Sequence, residues 1–82
     1  MKILLEMSLE YYSHLLDWVS DKSPLYAVLK TPVVVHSDTS HSVIEILCDK
    51  FHARMLLSLA EELCPEAAAK IEEAIRLSHM LH

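Results

Sequence analysis

No glycine occurs anywhere in the 82 residues, and reading the chain through finds no asparagine or glutamine either. Glycine, and after it asparagine, are the residues that enter the left-handed backbone region at little cost, so the chain lacks those that most easily take positive φ. Glycine-rich phosphate cradles, the dinucleotide-binding fingerprint and Asn-Gly hairpins are therefore out of reach. Turn formation falls to Pro, Asp, Ser and Thr, which pre-set φ or bond their own backbone.

A chain of this length has room for one hydrophobic core, so a single domain over 1–82 is expected. Its hydrophobic content is 52%, while a domain this small hides only about 60–65% of the surface its unfolded chain exposes. Apolar side chains should be left outside, and exposed apolar patches mark partners or self-association. Seven Lys and Arg face twelve Asp and Glu, a formal net charge of -5, and the basic residues are scattered. That excludes the basic footprint on which direct nucleic-acid binding depends. No uncharged stretch reaches the roughly 18 apolar residues of a membrane span, and Glu6 interrupts the only apolar run near the start before a signal peptide could form. A cytoplasmic protein with reduced thiols at Cys48 and Cys64 is the expectation.

Ile3, Leu5 and Met7 alternate with Lys2, Leu4 and Glu6, which predicts a strand over 2–7 with one wetter face. Ser8 then caps a helix over 9–20, with Leu9, Tyr12, Leu15, Leu16 and Val19 as its inward stripe. Ser23-Pro24 opens a short helix over 24–30 that stops before Thr31-Pro32. The β-branched run 33–36, the turn residues Ser37-Asp38-Thr39-Ser40 and the apolar run 43–48 predict a hairpin. Asp49 caps a helix over 50–63 with Phe51, Met55, Leu56, Leu59, Ala60 and Leu63 inward, and Pro65 starts a last helix over 65–79. In that helix Ala67, Ala68, Ile71, Ala74 and Ile75 turn inward, while Glu66 with Lys70 and Glu72 with Arg76 are i, i+4 pairs on the outside. The fold class is α+β in two layers, three short strands packed on about four helical segments. Both halves run strand, capped helix, proline-started helix, a hint of internal duplication.

Six histidines raise the question of metal binding. His36 and His41 flank the turn, and Cys48 and His52 stand four apart at a helix start, but no two tight ligand pairs of the kind structural zinc needs can be made from them. No metal and no cofactor is expected. Ser37, Asp38, Ser40 and His41 hold the residue types of a hydrolytic triad, yet Ser and Asp are also what a glycine-free turn must use, and triads seldom come from one turn. Cys48 and Cys64 lack basic neighbours that would activate a thiol. Glu61, Glu62, Glu66, Glu72 and Glu73 gather on the last two helices, as solvated faces do.

The feature singled out is Tyr11, His14 and Trp18, an aromatic stripe at i, i+3 and i+7 beside the inward one; such residues serve either a core or a partner surface. Two functions follow. The first is a non-enzymatic protein-interaction module or small regulator, binding a protein partner or a second copy of itself as a homodimer. The second is a small metal- or thiol-dependent enzyme using His36, His41, Cys48 and His52, which requires those four side chains to share a pocket.

Overall fold

The computed structural model describes residues 2–31, 34–37 and 42–80. Period-two alternation is realised in β1 (Lys2–Ser8), where every second residue from Ile3 to Met7 is buried and the intervening ones are exposed. Helix α1 (Leu9–Trp18) follows without a loop: Ser8 ends the strand and also caps the helix, its Oγ accepting from the Tyr11 N–H at 3.1 Å. Asp49 does the same between β3 (Ser42–Asp49) and α3 (Lys50–Leu63), accepting from the His52 N–H at 2.9 Å. Between these units lie α2 (Pro24–Leu29), capped by Ser23, and the short strand β2 (Val34–Ser37). The chain closes with α4 (Pro65–Met80).

The three strands form one open antiparallel sheet in the order β1-β3-β2. β3 takes the centre, with Leu5 opposite Ile46, Leu4 opposite Leu47 and His36 opposite Val43. The inner face carries Ile3, Leu5 and Met7 from β1 and Ile44, Ile46 and Cys48 from β3, all buried. Leu15, Leu29, Leu56 and Ile71 close over it from the four helices, giving one continuous hydrophobic cluster. This is a small α+β fold with more helix than strand.

No described residue has positive φ. Between α1 and α2, Ser20 accepts from the Lys22 N–H through its hydroxyl and from the Ser23 N–H through its carbonyl. At the end of α2, Thr31 donates its hydroxyl to the Val28 carbonyl at 2.6 Å. Tyr12 ties α1 to α2 by donating its hydroxyl to the Leu29 carbonyl at 2.5 Å.

Several expectations need correction. Helix α1 stops at Trp18 rather than at residue 20, because Val19 is already extended with ψ 131. Its buried stripe is Tyr11 and Leu15, while Leu9 is exposed. In α3 the buried residues are Ala53, Leu56 and Ala60, so Phe51 points outward at 67% exposure and Leu63 is exposed as well. Two residues before Ala53 is about 200° around a helix, so burying Ala53 puts Phe51 on the far side. Arg76 lies 4.0 Å from Glu73, at i, i+3, rather than pairing with Glu72. The order strand, helix, proline-started helix does recur, but α2 has 6 residues and α4 has 16, and only α4 packs broadly on its preceding helix and on the sheet. The predicted start of β2 at Val33 and most of the hairpin turn lie outside the described residues.

Candidate functional site

Tyr11, His14 and Trp18 line one wall of a groove of about 560 Å³, and the elbow between α3 and α4 forms the other wall. The elbow exists because Pro65 cannot continue α3. Cys64 is extended (φ -157, ψ 94); its N–H closes α3 on the Ala60 carbonyl and its own carbonyl accepts from the Ala68 N–H, opening α4. Leu63, Cys64 and Glu66 are thereby turned toward α1.

The aromatic stripe divides along its length. Tyr11, one turn into the helix, is 5% exposed and belongs to the core, whereas His14 is exposed and Trp18 is 56% exposed. Seven residues carry a helix round to within about 20° of its starting direction and about 10 Å along its axis. Trp18 therefore points to the same side as Tyr11, yet it is 56% exposed where Tyr11 is 5% exposed. The remaining groove residues include Glu10, Asp17 and Glu66, all exposed, and no Lys or Arg.

Among the described residues the Tyr11 hydroxyl is a buried side-chain polar atom without a hydrogen-bond partner. Burial pushes its phenol up to about 12, with Cys64 nearby adding to the effect. On the other side of the core, burial pushes the Cys48 thiol up to about 11, Asp49 adding to it and Lys2 opposing it. A thiol so protonated is not a nucleophile at neutral pH.

Both groups hold their protons more tightly in the folded protein, so the unfolded chain ionises first as pH rises. Their stabilising contribution is complete below the ordinary values of 9.0 and 10.0 and is lost as pH rises through about 11 and about 12. Chemical denaturation between pH 8 and pH 12 should accordingly lose roughly 1–2 kcal/mol for each group. Tyr11→Phe should remove the upper part of that loss. At neutral pH it should leave stability equal or raise it by up to about 1 kcal/mol, since it deletes an unsatisfied hydroxyl. A Tyr11→Phe protein that is clearly less stable at neutral pH would show that the hydroxyl has a partner.

The structure does not bring the metal or thiol candidates together. His36 stands on the outer face of the sheet opposite Val43, with its Nε2 2.5 Å from Glu45 Oε1. Cys48 is buried on the inner face, five residues farther along β3, or about 17 Å. His52 sits in the first turn of α3 with its Nδ1 2.9 Å from Asp49 Oδ1. The Asp49 carboxyl is held below the usual range by the backbone N–H of His52, then by its ring, so this pair is accounted for by helix capping. His41, with Asp38 and Ser40 of the triad-like turn, lies outside the described residues. Among the described residues no three His, Cys, Asp or Glu side chains are grouped as a metal ion would need. No described helix is long and apolar enough to cross a membrane. Glu61, Glu62, Glu72 and Glu73 are exposed helix-face residues, while Glu66 joins the groove.

Sequence reasoning found the α1 side of this groove and missed Leu63, Cys64 and Glu66. The signal for them is Cys64-Pro65, a forced break between two helices whose turn must face a neighbouring element. Comparison with protein-family models, with curated proteins and with solved structures finds no match to the chain.

Proposed function

We propose that this protein is a non-catalytic interaction module, a small regulatory or accessory protein that takes a basic, apolar-anchored segment of a partner protein into the groove between α1 and the α3–α4 elbow. The observation that carries the reading is Trp18, a large amphipathic ring held half-exposed at the groove mouth by a capped helix. Aromatic anchors of this kind are enriched where interfaces concentrate their energy. The groove lining carries Glu10, Asp17 and Glu66 and no Lys or Arg, which favours a cationic partner and offers the indole face to Lys or Arg. The free cysteines Cys48 and Cys64 fit a reducing, cytoplasmic setting. The competing enzymatic reading needs His36 and Cys48 in one pocket, and they lie on opposite faces of the sheet.

The acidic lining makes the proposal testable through salt and charge. Glu10→Lys, Asp17→Lys and Glu66→Lys combined should leave the fold intact, since all three side chains are exposed. The immobilised triple variant should retain the partner at least about tenfold more weakly than wild type, and salt should elute the partner from wild type. Retention that is indifferent to both salt and charge reversal would contradict recognition by an acidic lining.

A further inference from the structure

β1 is an edge strand of seven residues; among the described residues it pairs only with β3, along one side. Its other side opens onto a second groove of about 540 Å³, bounded by Leu4 and Leu47 on the sheet and by Lys70, Ala74 and Leu77 on α4. A long edge without proline or an inward charge is a template for another strand, and proteins ordinarily block such edges. Among the described residues nothing pairs with the free side of this one.

From the charge pattern along that edge we infer that its occupant is β1 of a second copy of this chain, so that two three-stranded sheets join into one six-stranded antiparallel sheet about a two-fold axis. The outward row of β1 reads Lys2, Leu4, Glu6. For the outward faces of two antiparallel copies to coincide, the opposed residue numbers must sum to an even value. With Leu4 opposite Leu4, Lys2 of each copy meets Glu6 of the other, giving two opposite-charge pairs flanking an apolar one. Sliding the register by two residues puts Leu4 against Glu6, or Lys2 against Leu4, and loses both ion pairs. The strand is therefore self-complementary in one register.

The neighbouring strand supports the same register. Glu6 lies directly opposite Glu45 within the chain, a like-charge pair that is unfavourable across a sheet. Lys2 of the second copy would stand on the free side of Glu6 and relieve it. Leu4 and Leu47, opposite one another and 51% and 56% exposed, would continue into the same pair of the second copy as one apolar row. Among the described residues the other edge, β2, offers four residues and no such charge pattern. This surface is separate from the α1 groove, and the assembly would carry two copies of that groove.

The test is a charge swap in the full chain, read by sedimentation equilibrium, with circular dichroism and thermal unfolding as controls for folding. Wild type should be dimeric. Lys2→Glu and Glu6→Lys should each raise the dimer dissociation constant about tenfold or more, since each places two like-charge pairs where two opposite ones stood. The double variant Lys2→Glu/Glu6→Lys should restore dimerisation to near the wild-type value, and Trp18→Ala should leave it unchanged. A monomeric wild type, or folded single variants that dimerise as wild type does, would overturn the inference. So would a folded double variant that stays monomeric. None of these outcomes bears on the α1 groove, whose test is loss of a different protein.

Discussion

Ile46→Ala is expected to lower stability by about 3–4 kcal/mol, while Leu47→Ala, one residue further on and in contact with its cross-strand neighbours, is expected to lower it by about 1 kcal/mol or less. Ile46 is fully buried at the centre of the middle strand and faces Leu5, itself fully buried; Leu47 points to the opposite face. Truncating Ile46 removes its transfer free energy and leaves a cavity that the paired strand β1 and the helices over the sheet keep from collapsing. At about 4–8 °C per kcal/mol for a domain of this size, the melting temperature should fall by roughly 15–25 °C. Small domains have only about 5–15 kcal/mol in total, so the variant should be partly unfolded at modest denaturant concentrations. Equal effects at the two positions would mean that the assigned faces of the sheet are wrong.

Trp18→Ala has the second-largest expected effect, and on a different property. The side chain is half-exposed at the last residue of α1, so removing it should cost about 1 kcal/mol of stability. Partner affinity should fall by about 2–4 kcal/mol, roughly thirtyfold to a thousandfold, the range for a central aromatic anchor. The separation between the two numbers is what matters. A Trp18 that belonged to the core would show the reverse, a protein that unfolds without a change in the affinity of the folded fraction.

What could be read from the residues followed how well polar positions bracketed the apolar ones. In β1 a charged residue or an exposed leucine separates each buried residue from the next, and strand and face were both legible. In α4 the Glu, Lys and Arg positions leave a single apolar stripe of Ala67, Ala68, Ile71 and Ile75, and that too was legible. In α3 apolar residues occur nearly all round, so hydrophobicity did not set the rotation; Ala53, a small residue that lets the helix approach the sheet, decided it against Phe51. Helix α1 posed the same difficulty, with Tyr11 and Tyr12 adjacent. Tyr11 took the core and Tyr12 found the Leu29 carbonyl.

The groove was half legible for a related reason. Residue spacing put Tyr11, His14 and Trp18 on one stripe, but no pattern internal to α1 says which of them is buried. That depends on the α3–α4 elbow, a contact between segments far apart in the chain. The strand order was not legible either: β1 could have paired with β2 or with β3 on apolar content alone. Only the central position of β3 leaves β1 as an edge, and only as an edge does its charge pattern become self-complementary.

The most direct test of the α1 groove compares three immobilised 82-residue proteins, wild type, Trp18→Ala and Leu47→Ala, for the proteins each retains from the native host, with thermal unfolding measured on all three. One partner in stoichiometric amount is expected on wild type and on Leu47→Ala and its loss from Trp18→Ala, with all three proteins folded. The same retained proteins on all three, or a Trp18→Ala variant that cannot fold, would contradict a partner site in that groove.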